Sequence, residues 1–199
     1  MKQDVNGEIF MEKNSRDNKY KIESQLREQY GKVVYTYTCH LNIVDRYKKI
    51  DRGIKLGQIM LSGITSAGFI SIIFYDTWLI KLGGAVLSFG LFFLNSCIKF
   101  FEINNKITSH KKAADELWLI REQYLSLITD INILEIEKII KERERLIRET
   151  SKVYKASPST DSKSFKAAQK ALKEDEHQYF TSHEIDIMLP EDLRRNKKD

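Results

Sequence analysis

From Leu56 to Ile98 the chain runs 43 residues with only two charges, Asp76 and Lys81. A stretch of this length and composition must be buried against protein or against lipid, and either choice dictates how the rest of the chain is used. The whole chain has 199 residues, 33 Lys+Arg against 28 Asp+Glu and a formal net charge of +5. Its mean hydropathy of −0.42 describes neither part, because nearly all the charges lie outside the apolar stretch. The length allows one or two domains at most, and the apolar stretch takes a fifth of it, so a large catalytic α/β domain is not expected.

The stretch divides in two. Leu56 to Tyr75 is 20 residues without a charge, and a helix of that length rises about 30 Å, the thickness of a bilayer's hydrocarbon core. Leu82 to Ile98 is 17 residues, which Lys81 and Lys99 extend by snorkelling to roughly 20. The short segment between them can only turn the chain back, with Tyr75 and Trp78 placed where aromatic side chains favour a headgroup layer. Residues 45–55 carry five Lys/Arg and residues 99–112 carry four Lys, against one in the turn. The positive-inside rule then puts both termini in the cytoplasm. The remaining polar residues are too few to wrap two helices that are apolar all round, which disfavours a soluble fold with two core helices.

The expected fold is all-α: a membrane protein with a two-helix transmembrane hairpin continued by long cytoplasmic amphipathic helices. Its segments are a mobile N-terminal segment (1–18), a cytoplasmic helix (19–53), transmembrane helix 1 (54–75), an extracytoplasmic turn (76–81), transmembrane helix 2 (82–101), a long cytoplasmic helix (102–150), and a linker, short helix and C-terminal tail (151–199). Gly31 and the β-branched run after it lower helix propensity and mark a place for a break. Leu117, Ile120, Tyr124, Leu127, Ile128, Ile131 and Leu134 form one apolar stripe that needs a partner. Asp161 or Ser162 is the expected cap of the short helix.

Little in the chain points to chemistry. The glycines cluster in or beside the apolar runs, where close helix packing explains them, and form no phosphate loop. The four histidines are dispersed and no CxxC occurs, so neither a metal nor another cofactor is expected. Cys39 and His40 are neighbours in sequence, but i,i+1 side chains on a helix do not face each other. The two cysteines make no disulfide framework, and the opening residues lack the pattern of a secretory signal. Acid pairs such as Glu142/Glu144 lie in strongly charged stretches that do not suit general acid/base work. The basic excess is small and sits at the membrane edge, nearer to anionic lipid than to nucleic acid, so direct nucleic-acid binding is not expected.

The first span is two-sided. At 100° per residue with Gln58 at 0°, Ser62, Thr65 and Ser66 fall at about 40°, −20° and 80°, while Gly63, Ala67 and Ser71 lie opposite. In the second span Ser88 and Asn95 share a face with Gly84. Small residues let helices approach closely in lipid, and amides facing hydrocarbon go unpaired at a cost of several kcal/mol, about the transfer penalty of such groups. One hairpin cannot bury both faces, so a homo-oligomer is expected. Gln58, Ser62, Thr65, Ser66, Ser88 and Asn95 are either the lining of a conduit or polar glue in a closed bundle, with hydroxyls bonded to their own helix.

The stretch His110-Lys-Lys-Ala113-Ala114-Asp-Glu-Leu117-Trp118-Leu-Ile-Arg121-Glu122-Gln-Tyr124-Leu-Ser-Leu127-Ile-Thr-Asp130, following a leading helix and a hairpin with a very short turn, resembles the SLATT domain family. These two-transmembrane effectors accompany nucleotidyltransferase and SLOG-type sensor proteins in bacterial anti-phage systems. The resemblance implies an inner-membrane, multi-pass protein that acts by pore formation or membrane disruption to kill or arrest an infected cell, with no enzyme activity. It makes His110, Trp118, Arg121 and Tyr124 the family signature, structural or regulatory in role. The trigger is then expected from a separately encoded sensor, nucleotidyltransferase or reverse transcriptase. The competing expectation is a membrane-anchored adaptor that recruits a cytoplasmic enzyme through its long helices.

Overall fold

A computed structural model describes residues 2–74, 77–175, 177, 180–188 and 190, and among these every regular element is an α-helix. In chain order they are α1 (Lys2–Phe74), α2 (Trp78–Phe101), α3 (Ile103–Thr129), α4 (Ile136–Ala156), α5 (Ser162–Lys173) and α6 (Ser182–Met188). Tyr75 at the end of the expected first span, Asp76 of the expected turn and the basic end of the tail lie outside the described residues.

The first helix is 73 residues long, about 110 Å at 1.5 Å per residue. It joins into one rod what the sequence divides into an N-terminal segment, a cytoplasmic helix and a span. The break expected near Gly31 does not occur. A glycine costs about 1 kcal/mol in a helix and a β-branched residue a few tenths. Leu26 and Val33 on either side are completely buried, and burying such side chains contributes roughly 1.5–3 kcal/mol each. Packing therefore outweighs propensity.

The long helix expected over 102–150 is two helices. The α3 backbone ends at Asp130, whose N–H bonds to Ser126 O, and residues 130–135 turn the chain. The reason is burial: Leu117, Ile120, Tyr124 and Leu127 on α3 and Ile139, Leu146 and Val153 on α4 all enter one core with Ile22, Leu26 and Val33 of α1. A straight helix would carry the second stripe past the end of that core. Lys19 Nζ holds the turn by donating to Ile131 O and Leu134 O at 3.4 and 2.9 Å, meeting carbonyls the broken helix leaves open.

The second apolar helix starts at Trp78, inside the segment expected as turn, because no helix breaker stands between Trp78 and Lys81 and Thr77 O accepts from both Ile80 N and Lys81 N. It runs antiparallel to α1. Gln58 bonds to Asn95, a Cβ at Gly57 would stand 3.8 Å from Leu94, and one at Gly90 only 3.2 Å from Leu61, so Gly90 marks a close approach. The same pairing carries on through α3, where His40 meets His110 and Lys19 meets the 131–134 turn. In every one of these pairs the two residue numbers add to 150–153, so α2 and α3 lie along α1 as one continuous antiparallel arm. The fifth helix closes the other side of α1, with Phe165 stacked on Tyr35 at 5.6 Å. Asp161 caps it by accepting from Ser164 N at 2.7 Å, and Ser164 Oγ accepts in return from Asp161 N.

Burial separates the two ends of the arm. The α1–α3–α4–α5 end has a packed core, whereas no residue of α2 is buried and Val86, Phe89, Phe92 and Phe93 are all more than half exposed. Among the described residues one helical stretch, within Trp78–Thr129, is long and apolar enough to cross a membrane, and none of its apolar window is buried.

Candidate functional site

The polar residues of the apolar hairpin were the candidates for a conduit. Gln58 Nε2 donates to Asn95 Oδ1 at 2.6 Å, so one hydrogen bond joins the two amides across α1 and α2. Thr65 Oγ1 donates to Leu61 O at 2.7 Å and Ser66 Oγ to Ser62 O at 2.9 Å, each one turn back on its own helix. Ser88 is exposed on α2, and Ser62 and Ser66 are exposed on α1. The structure thus brings together Gln58 and Asn95 and leaves the hydroxyls apart from them. Ser62, Gly63 and Ser66 stand at about 40°, 140° and 80° on the α1 wheel, whereas the α2 contacts at Gln58, Leu61 and Gly57 centre near −60°. They form a small, polar strip on the side of α1 facing away from α2.

The four residues expected as the family signature take different positions on α3. Tyr124 is completely buried in the core, where burial pushes its phenol up from the ordinary tyrosine range. The Arg121 side chain is largely covered, pairs with Glu122 at 2.8 Å and has a buried Nε without a hydrogen-bond partner among the described residues. Trp118 is 47% exposed, beside Leu119 and Leu125, which are also exposed. His110 is buried, and its Nδ1 lies 2.8 Å from Nδ1 of His40 on α1.

This histidine contact is not apparent in the sequence, where His40 neighbours Cys39 and the four histidines stand dispersed. A hydrogen bond between two Nδ1 atoms requires one ring to donate and the other to accept, so the pair shares one proton between facing nitrogens. Two imidazolium rings would place two donors head to head. Burial, with His110 as a second cause, pushes His40 down to about 4. Burial likewise lowers His110, aided by Arg46 and Lys106 and opposed by Asp161. At neutral pH the pair is uncharged. Tyr47 stacks on His110 with centroids 6.5 Å apart, and Arg46 and Lys106 stand over the Tyr47 ring at 5.9 and 5.6 Å. Arg46 also pairs with Asp161, which it holds, with the Ser164 amide, down at about 2. One cluster therefore ties α1, α3 and the cap of α5 together just below the apolar hairpin.

The cluster couples helices, joining α1 to α3 through His40 and His110 and to the cap of α5 through Arg46 and Asp161. The Cys39 thiol beside it is buried and pushed up by that burial, which makes it a poor nucleophile. Among the described residues no three His, Cys, Asp or Glu side chains gather as metal ligands. Around the same level, Lys48, Lys49, Arg52 and Lys55 on α1 and Lys99, Lys106, Lys111 and Lys112 on α2 and α3 are exposed, a basic collar at the base of the hairpin.

Comparison with protein families matches residues 22–184 to the model described as SMODS and SLOG-associating 2TM effector domain family 4, which covers every element from the core part of α1 into α6. Neither the curated proteins nor the solved structures give a match.

Proposed function

Because the chain belongs to the SMODS and SLOG-associating 2TM effector domain family 4, we propose that it crosses the bacterial inner membrane twice, assembles into homo-oligomers and permeabilises or disrupts that membrane in anti-phage defence by abortive infection. A membrane effector role in conflict systems follows from the family. The observation that carries the finer reading is the contrast between the two ends of one continuous arm. Its cytoplasmic end buries a core, while the apolar end of α1 and all of α2 present Ile59, Met60, Ile64, Phe89, Phe92 and Phe93 outward. Such a surface suits hydrocarbon and no aqueous phase. The basic collar supports cytoplasmic termini.

The strip of Ser62, Gly63 and Ser66 supports oligomerisation. Small and hydroxyl-bearing residues facing away from α2 are the surface that a second transmembrane helix packs on closely. The Gln58–Asn95 bond supports polar glue within each hairpin rather than a conduit lining by those amides. Exposed Trp118, Leu119 and Leu125 give the cytoplasmic part a face for another copy. The same face favours a second reading, an adaptor that docks a separately encoded sensor, nucleotidyltransferase or reverse transcriptase. Replacing both apolar helices by unrelated apolar helices separates the readings, because an adaptor keeps its function and a permeabilising effector loses it. The direct test is membrane potential in cells expressing the chain with its genomic neighbours.

A further inference from the structure

The second apolar helix passes into α3 at Glu102, whose φ of 46° and ψ of 42° make it the one non-glycine residue with positive φ among those described. An L side chain adopts this left-handed conformation at an energetic cost, so a single corner separates the apolar helix from the cytoplasmic one. The corner opens a cleft of about 440 Å³ lined by Asn95, Lys99, Glu102, Asn104 and Asn105 with flanking isoleucines. It sits at the end of the apolar run, beside Phe100 and Phe101, which are 81% and 52% exposed and packed edge to face at 5.3 Å. Exposed phenylalanines there suit the hydrocarbon edge of a bilayer.

The chemistry of the cleft is dipolar. Lys99 and Glu102 are three residues apart on either side of the corner, yet they form no ion pair with each other. Glu102 Oε2 accepts from Asn105 Nδ2 at 3.2 Å, which leaves the second carboxylate oxygen available. Asn95 uses its oxygen on Gln58 and keeps its Nδ2 as a donor. The first-turn amides of α3 add donors at the same corner, and no side chain caps them. A ligand that satisfies the cleft must bring a negative group for Lys99 and the asparagine amides together with a cation carrying N–H donors for Glu102.

We propose that this cleft seats the phosphoethanolamine headgroup of a bilayer lipid, with the Lys99 ammonium on the phosphate and the Glu102 carboxylate on the primary ammonium. The proposal rests on the membrane reading above. Phosphatidylglycerol has no cation for Glu102, and a choline headgroup has no N–H to donate to it. Both should bind less well.

The test uses the full chain in detergent with an equal mixture of phosphatidylethanolamine and phosphatidylglycerol, counting retained lipid by native mass spectrometry. The expected result is an ethanolamine preference of about fivefold, the scale of one exposed ion pair. Glu102→Gln should reverse the preference toward glycerol, and Lys99→Gln should reduce retention of both lipids. Equal retention by the native chain, or an unchanged ratio in Glu102→Gln, overturns the proposal. Flotation of the native chain with vesicles is measured in parallel. Failure to float removes the membrane reading itself and the lipid seat with it, whereas flotation without headgroup preference removes the seat alone.

Discussion

The Nδ1 atoms of His40 and His110 face each other at 2.8 Å, although the residues stand 70 positions apart. Their contact ties the continuous α1 rod to the arm that returns from the apolar hairpin. Because α1 enters the hairpin without a break, a displacement of α3 against α1 at this level is felt at the base of α2. The pair thereby gives His110 a physical task, holding two helices in register through one shared proton.

The resistance of this neutral pair to taking up a further proton makes stability depend on pH in a stated direction. Both histidines have lowered folded values, His40 near 4, so between the unfolded value of about 6.5 and the folded one the unfolded chain binds more protons. Stability is complete above about pH 6.5 and falls as pH drops toward 4, by roughly 3 kcal/mol if the whole His40 shift is realised. Thermal unfolding of the detergent-solubilised chain should show this decline, and His40→Phe should flatten it. An equal decline in both proteins would place the titration elsewhere.

Gln58 and Asn95 are expected to be energetically coupled. Interhelical hydrogen bonds in membrane proteins contribute about 0.6 kcal/mol on average and up to about 1.7. Gln58→Leu and Asn95→Leu should each destabilise the hairpin, and the double substitution should cost less than their sum. Strict additivity in a double-mutant cycle followed by denaturing-detergent titration would show that the amides do not bond.

Two aromatic residues six positions apart on α3 should behave oppositely. Tyr124→Ala removes a completely buried ring and should cost about 3–5 kcal/mol of stability, as large aromatic truncations do. Trp118→Ala, on the exposed face, should stay within about 0.5 kcal/mol while reducing crosslinked oligomers. Undiminished crosslinking would remove Trp118 from the contact between copies.

Asp161 has two roles, cap of α5 and partner of Arg46, and they separate by substitution. Asp161→Ala should cost about 1 kcal/mol from the lost cap. Arg46→Ala should cost less, since exposed ion pairs contribute little. Amide exchange in α5 reports both, and equal effects would mean that the cap contributes nothing beyond the ion pair.

Much of this architecture is legible in the sequence because apolar periodicity reports burial directly. The stripe through Leu117, Ile120, Tyr124, Leu127 and Ile131 enters the core. Less legible are the points where packing overrules local preference. At Gly31 propensity argues for a break and buried neighbours remove it. At 130–135 a run without proline breaks because two stripes need the same core. The corner at Glu102 has no glycine to announce it. The His40–His110 contact was readable in principle, since an antiparallel pairing that sets Gln58 against Asn95 also brings His40 near the level of His110. Pairwise neighbourhood in sequence, which links His40 to Cys39, hides that relationship.

The most direct test of the central claim is membrane potential, followed with a potential-sensitive dye in bacteria induced to express this chain together with its genomic neighbours. The account predicts depolarisation that precedes loss of viability and is weakened when Ser62 and Ser66 are both replaced by leucine at equal expression. A sustained potential while the membrane-inserted chain arrests growth would contradict permeabilisation and leave the adaptor reading.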